Sequence, residues 1–78
     1  MSLKWNKLGS HKWVCEEGYR IARHWTFGMG KKITFFLVFD SEQAYQAGIN
    51  VANVPSLKEA KEFCENLEKA IDRVVGSV

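Results

Sequence analysis

The chain has 78 residues, of which 46% are hydrophobic and 13% are aromatic, and its formal net charge is +2. This length leaves room for one small domain and excludes enzymes that need a deep cleft between two domains. The aromatic content argues against disorder, because each buried ring offsets part of the entropy lost on folding. We therefore expect a single domain over residues 1–78, small enough that a homodimer must be considered.

No apolar run approaches the roughly 20 residues that a membrane-spanning helix needs, and the basic start is not followed by the apolar stretch of a signal peptide. We therefore expect a cytoplasmic protein that does not contact a membrane. Cys15 and Cys64 lie far apart in the sequence and form no Cys-x-x-Cys pair. Two reduced, buried thiols are expected, unless the fold brings them together as a disulfide.

The net charge is distributed unevenly along the chain. Residues 1–34 contain seven Lys or Arg and two Glu, whereas residues 35–78 contain four Lys or Arg and seven Asp or Glu. The two halves therefore differ in sign, at +5 and −3. A basic surface attracts phosphate groups or an acidic protein, while an acidic helix is often only a solvated face.

Turn signals divide the first half of the chain into short strands. These signals are Gly9-Ser10, Glu16-Glu17-Gly18 and the hairpin tip at residues 27–32. They separate a first strand around Trp5 from strands at 12–15 and 19–25. The strongest predicted strand follows at residues 33–39, a run of β-branched and aromatic side chains.

The next segment allows two interpretations. Apolar and polar residues alternate from Tyr45 to Val51, which predicts another strand. Alternatively, residues 41–47 form a short helix that is closed by Gly48.

The C-terminal segment predicts a helix at about 57–75. Ser56 precedes Glu59 by three residues, the spacing of a capping box, and Gly76 is a natural stop. Apolar residues recur at steps of three and four and form one stripe, which comprises Leu57, Ala60, Phe63, Cys64, Leu67, Ala70, Ile71, Val74 and Val75.

These elements predict an α+β fold, an antiparallel meander of three to four strands at about 4–52 with one C-terminal helix packed on one face. The expected inward side chains are Tyr19, Ile21, Ile33, Phe35, Leu37 and Phe39. Because strand side chains alternate, the other face is then expected to carry Thr34, Phe36 and Val38 beside Arg20, Ala22 and His24.

The order of these motifs resembles that of small phage, prophage and bacterial proteins without an assigned activity. The matching segments are Trp5 and Trp13, Gly18-Tyr19-Arg20-Ile21, Phe35-Phe36-Leu37, and Ser56-Leu57-Lys58-Glu59-Ala60-Lys61. The resemblance implies a mobile-element context and carries over no catalytic residues. The layout is also similar to plant AP2 DNA-binding domains and the arm-binding domains of phage integrases, which implies a sheet that reads DNA.

Three kinds of site are not supported by the spacing of the residues. The tip at Gly28 and Gly30, followed by Lys31 and Lys32, lacks the Gly-Lys-Ser/Thr junction of a nucleotide loop, so its glycines are interpreted as turn residues. Zinc would need short spacings, which are absent among His11, Cys15, His24 and Cys64. A catalytic constellation is also absent, since His24, Asp40, Ser41 and Cys15 are scattered. We expect no enzyme activity and no cofactor.

The second hairpin combines positive charge with a large ring and is the first candidate binding site. Its residues are Arg20, Arg23, His24, Trp25, Lys31 and Lys32. This mixture suits phosphate contacts with base stacking, and it equally suits an acidic protein patch with Trp25 as an anchor. Arg23 shares its parity with Tyr19 and Ile21, so its guanidinium is expected to conflict with the core unless a bulge or the strand end lets it escape.

Phe36 and Val38, on the face that the helix does not cover, form the second candidate site. Exposed apolar side chains mark self-association or a partner, and we expect a homodimer across this face, unless Trp5, Trp13 or the N-terminal segment folds over it. Two hypotheses result: a protein-binding module, such as a regulator or inhibitor from a phage or mobile element that docks onto a host protein, or a nucleic-acid-binding domain. The first is favoured, because a net charge of +2 and an acidic helix are unusual for a DNA-binding domain.

Overall fold

A computed structural model describes residues 3–76, with side chains described for residues 3–71. The elements, in chain order, are β1 (Trp5–Lys7), β2 (Lys12–Cys15), β3 (Arg20–Gly28), β4 (Lys31–Phe39), α1 (Glu42–Ala47), β5 (Ala52–Val54) and α2 (Leu57–Gly76). All neighbouring strands are antiparallel and lie side by side in the order β1-β2-β3-β4-β5. The predicted α+β meander with a C-terminal helix is confirmed, and the sheet has five strands.

The predicted turns between the first strands are confirmed. Gly18 closes the β2–β3 turn with a φ of 100°, a conformation that costs glycine nothing because it has no Cβ. Its N–H donates to the carbonyl of Cys15 at 3.0 Å.

The predicted pairing of Ser56 with Glu59 also forms, with the Glu59 carboxylate on the Ser56 hydroxyl and not on its backbone N–H. The Ser56 hydroxyl accepts from the Glu59 N–H at 3.2 Å and donates to the Glu59 carboxylate at 3.0 Å. These bonds fix the start of α2 directly after β5, so that the helix turns back onto the sheet.

The core lies between α2 and one face of the sheet. Ile21, Val38 and Cys64 are its most deeply buried large side chains, each at most 1% exposed. Around them pack Trp13, Cys15, Tyr19 and Ala60, with partly buried contributions from Leu3, Trp5, Phe36, Ala52, Val54, Leu57, Phe63 and Leu67. Tyr19 also ties the sheet to the helix, because its hydroxyl donates to the Glu68 carboxylate at 2.8 Å.

Only part of the predicted apolar stripe of α2 contacts the sheet. Ala60 and Cys64 are fully buried, whereas Ile71 is about half exposed because it lies beyond the sheet-packed part of the helix. Val74 and Val75 lie outside the residues whose side chains are described. No helix in the described part of the chain is long and apolar enough to cross a membrane.

Residues 42–47 form a helix, so the strand predicted from Tyr45 to Val51 is wrong and the alternative is confirmed. The Ser41 hydroxyl caps α1 by accepting from the Ala44 N–H at 3.1 Å, and Gly48 ends it in the left-handed conformation. The two caps stabilise the helix by hydrogen bonds. Alternation alone stabilises a strand less, because its apolar face must be buried before it contributes.

The assignment of the β4 side chains to the two faces of the sheet is also wrong. Ile21 pairs directly with Val38, and directly paired residues share a face in an antiparallel sheet. Val38 is therefore buried under α2, and Phe36 packs beside it against Trp13, with ring centroids 5.9 Å apart. Neither residue belongs to an exposed surface.

The opposite face of the sheet carries the alternate residues of β4. They are Ile33, Phe35, Leu37 and Phe39, whose exposure falls from about half at Ile33 to nearly nothing at Phe39. Phe39 is covered by α1, where Tyr45 meets it edge to face at 5.1 Å. The end of this face near α1 is thus closed, and the end near the β3–β4 turn is open.

Candidate functional site

The β3–β4 hairpin extends beyond the rest of the sheet. The β2–β3 register ends at Ala22, and the β4–β5 register ends at Phe36. The hairpin continues through five further pairs, from His24↔Phe35 to Gly28↔Lys31. We call residues 24–35 the arm. Five strand residues span about 17 Å, which helps to explain why the molecule measures 52 × 23 × 22 Å.

The tip of the arm is a two-residue turn with an unusual residue in it. Met29 and Gly30 have φ angles of 52° and 76°, the arrangement of a type I′ turn. Such turns favour Asn-Gly or Gly-Gly, because a positive φ is unfavourable for a long side chain. Met29 is nevertheless fully exposed at the end of the arm. The chain thus holds a thioether in solvent in a strained conformation.

Two aromatic rings occupy the face of the arm that continues the α2 side of the sheet. Trp25 is 53% exposed and Phe27 is 68% exposed, and their rings meet edge to face with centroids 5.4 Å apart. The Lys32 ammonium lies 5.2 Å from the centroid of the Trp25 ring. Apolar rings and a cation are therefore presented together, and no element in the described part of the chain covers them.

The reverse face of the arm is smaller in apolar content but similar in character. His24 stacks on Phe35, its direct partner on β4, at a centroid distance of 5.9 Å and an interplanar angle of 19°. Ile33 is 49% exposed beside Lys31 at the tip. Both faces of the arm therefore carry exposed apolar side chains.

The guanidinium of Arg23 escapes the core at the base of the arm. Its Nε donates to His11 Nδ1 at 3.2 Å, and its Nη2 lies 2.9 Å from the same atom. The Arg23 N–H also donates to the His11 carbonyl at 2.8 Å. The predicted conflict with the core is thus resolved by the β1–β2 loop, which supplies a polar partner next to the last residue before the arm.

Arg20 lies on the other side of the sheet and is engaged by α1. Its guanidinium is 3.4 Å from the Glu42 carboxylate and 5.1 Å from the Tyr45 ring centroid, and Lys12 approaches the same ring at 5.3 Å. Arg20 therefore holds α1 against the sheet. It does not lie on the arm with the other predicted residues.

The charge of this region has one sign. From residue 18 to residue 39 the chain contains Arg20, Arg23, Lys31 and Lys32 and no Asp or Glu. Coulomb attraction to an anionic partner is therefore not opposed by acidic side chains of the hairpin itself.

The two thiols are unsuited to nucleophilic chemistry. Cys15 and Cys64 are free and buried in the core. Burial raises the pKa of Cys64 to about 12, and the nearby Cys15 and Glu65 act in the same direction. Burial likewise raises the pKa of Cys15. Because the thiolate is the reactive form, both residues are structural at neutral pH.

These groups give a pH dependence of stability. In the unfolded chain the Cys64 thiol loses its proton near pH 9, whereas in the folded chain it keeps the proton until about pH 12. Its contribution is therefore complete below pH 9 and is lost as the pH rises toward 12. Burial and the hydrogen bond to Glu68 raise the pKa of Tyr19 as well, which adds to the loss above pH 10.

We expect the urea midpoint of unfolding to fall between pH 9 and pH 12, and to fall less steeply in a Cys64→Ala variant. Urea titrations of both proteins at several alkaline pH values measure the two slopes. Equal slopes would contradict the assignment of this loss to Cys64.

The structure brings five of the predicted site residues together at the arm and its base: Arg23, His24, Trp25, Lys31 and Lys32. The arm also exposes Phe27, Met29 and Ile33, which the sequence-based prediction missed. The sequence did contain a feature that predicts their exposure, since they are large apolar residues in or beside a turn, where no covering element is predicted.

The described residues contain no candidate metal site. Among them, no group of three or more His, Cys, Asp or Glu side chains is placed to hold an ion. The four side chains weighed as zinc ligands are divided between the core, which holds the two thiols, and exposed positions, which hold His11 and His24.

Comparison with known proteins gives no relative. No family model matches the chain, and neither a curated protein nor a solved structure is significantly similar to it. The geometry of the arm is therefore the starting point for function.

Proposed function

We propose that the chain is a non-enzymatic binding module that docks its arm on an acidic surface of a partner protein. The observation that carries this proposal is the exposure of Trp25 and Phe27 beside Lys32 on a two-stranded projection without acidic residues. A role as a regulator or inhibitor, in the phage context that the resemblance implies, belongs to the same proposal.

The energetic argument starts from the apolar area. Large exposed rings are costly in water, and each gains on the order of 1 kcal/mol or more when a partner covers it. Tryptophan is also a frequent anchor in protein interfaces. Among residues 3–71, Trp25 and Phe27 are not part of the core under α2, so this core does not require them to be aromatic.

The charges provide orientation. Lys31 and Lys32 stand at the end of the arm, beyond the part of β4 that pairs with β5, the strand that leads into α2. An acidic patch attracts this end first, which speeds the encounter and sets the direction of docking. The rings then supply most of the affinity.

Binding to single-stranded nucleic acid is the second candidate. The cation over the Trp25 ring and the stacked pair of His24 and Phe35 favour it, because bases stack on rings while cations contact the phosphates. We rank it second because the chain carries only +2 overall and α2 is rich in acidic side chains.

Tryptophan fluorescence separates the two candidates. Trp25 is the most exposed of the three tryptophans, so its emission reports contact with the arm. Two probes are titrated at low and physiological salt: a peptide of about ten residues that alternates glutamate with valine, and an oligothymidylate of about ten nucleotides. We expect the peptide to bind more tightly and to weaken as salt rises.

Charge reversal at the tip provides the matched comparison. The double substitution Lys31→Glu and Lys32→Glu is expected to weaken peptide binding about tenfold to a hundredfold. Lys58→Glu, on the exposed face of α2, is expected to change it little. Tighter binding of the oligothymidylate would select the second candidate. Absence of binding to both probes would remove both.

A further inference from the structure

The backbone of the arm has two open edges. In a hairpin with a two-residue turn, the residues that flank the turn face each other with both N–H and C=O groups, and the orientation then alternates. Since Gly28 and Lys31 flank this turn, the backbone N–H and C=O groups of the even-numbered residues of β3 point toward β4. The backbone N–H and C=O groups of the odd-numbered residues, which include Trp25 and Phe27, point away from β4.

Two hydrogen bonds at the base of the arm agree with this alternation. The N–H of Arg23 donates outward to the His11 carbonyl, on the β2 side of β3. The Val38 carbonyl accepts outward from the Val51 N–H, on the β5 side of β4. Beyond these bonds neither β2 nor β5 continues, so no strand within residues 3–76 pairs with Trp25 and Phe27 on one edge or with Lys32 and Thr34 on the other.

We infer that the outer edge of β3 at Trp25 and Phe27 receives an extended, acidic segment of the partner protein as an added strand. This inference rests on the proposed function and specifies the form of the partner. The added strand takes the place that β2 would occupy if it were longer. Its main chain pairs with the outward groups, and its apolar side chains cover the exposed rings.

The charge around the two edges selects the β3 edge for an acidic strand. On its side lie β1, β2 and their loop, where residues 3–15 contain Lys4, Lys7 and Lys12 and no acidic residue. On the side of the β4 edge lie α1, β5 and α2, where residues 40–71 contain six Asp or Glu and three Lys. An acidic segment is therefore attracted to the first edge and repelled from the second.

The edge also lacks the features that usually prevent strand addition. Exposed edges are often protected by proline, a bulge or an inward charge. Residues 24–28 contain no proline, and the β3–β4 register runs without a bulge to the turn. This edge is therefore a ready template for a partner strand.

Amide hydrogen exchange, resolved by residue in NMR spectra, tests the inference on the full chain. The probe is the peptide that alternates glutamate with valine. We expect saturating peptide to slow exchange of the Trp25 and Phe27 amides by about tenfold or more, and to leave the Lys32 and Thr34 amides unchanged.

A pair of substitutions at one position isolates the backbone contribution. Phe27→Ala removes the ring and keeps the N–H, whereas Phe27→Pro removes both. The Phe27 N–H points outward, so proline leaves the β3–β4 pairing intact, as at other strand edges. We expect peptide binding to be several-fold weaker in Phe27→Pro than in Phe27→Ala.

The outcomes separate this inference from the proposed function. Peptide-induced shifts of arm resonances without slowed exchange would overturn strand addition and leave the proposed function standing. Slowed exchange at Lys32 and Thr34 instead would overturn the choice of edge. An unperturbed arm at saturating peptide concentration would overturn both.

Discussion

A Val38→Asp substitution is expected to unfold the domain. Val38 is completely buried beside Ile21 and under α2, and none of the buried residues among those described is polar or charged. A buried carboxylate without a partner must either stay charged in an apolar site or take up a proton, and both are costly. The free energy of unfolding of a domain of this size is about 4–12 kcal/mol, and we expect the substitution to lower it by several kcal/mol. Circular dichroism and urea titration measure the loss.

Leu37→Asp is the matched control for this substitution. Leu37 neighbours Val38 in β4, but its side chain lies on the other face of the sheet and is only partly buried. We expect a loss of about 1–2 kcal/mol and a folded protein. If Leu37→Asp unfolded the domain while Val38→Asp did not, the assignment of the two faces would be reversed.

Shortening the arm is expected to abolish partner binding and leave the domain folded. The pair His24↔Phe35 has the same backbone orientation as Gly28↔Lys31, because the two pairs are four residues apart along the strand. Replacing residues 25–34 by Asn-Gly therefore makes a regular type I′ hairpin. The deleted residues make no contribution to the core cluster, so stability should change by less than about 1 kcal/mol.

The binding of the glutamate and valine peptide should fall at least a hundredfold in this variant, about 3 kcal/mol, because both rings and both lysines are removed. Calorimetric titration of the peptide gives the affinity, and urea titration gives the stability. A full-length variant with Trp25→Thr and Phe27→Thr keeps the lysines and the strand edge, and is expected to bind with intermediate affinity. Unchanged affinity in the shortened protein would place the binding surface elsewhere.

The predicted architecture followed from strong local signals, whereas the face assignment depended on one loop length. Both faces of β4 are apolar at residues 35–38, since Phe35 alternates with Phe36 and Leu37 with Val38, so hydropathy does not distinguish them. A two-residue turn pairs odd with even residue numbers, and a three-residue turn at 28–30 would pair odd with odd. The positive φ of Met29 identifies a two-residue turn, and sequence rules do not place methionine at such a position.

The two interpretations of the segment around α1 stayed open in the sequence for a different reason. Apolar and polar residues alternate at 45–51 in a way that fits a strand, whereas the six residues of α1 make no apolar stripe that would identify a helix. The deciding features are the Ser41 cap and Gly48 together with the Arg20 ion pair, which is a contact across 22 positions of the sequence. Such a contact is visible only in the folded chain.

For the candidate site, the sequence identified the charged residues and Trp25, while the fold revealed how they are presented. The arm exists because β2 and β5 are shorter than β3 and β4, and strand lengths are poorly defined by local sequence. The role of His11 beside Arg23 also needed the structure, since it connects a loop to a strand 12 residues away.

The most direct test of the arm as a binding surface is an NMR titration of the protein with the glutamate and valine peptide. We expect the perturbed backbone amides to fall at residues 23–35 and at the adjoining β1–β2 loop, with amides of α1 and α2 unchanged. Perturbations centred on α2, or on the Tyr45 side of the sheet, would contradict the account.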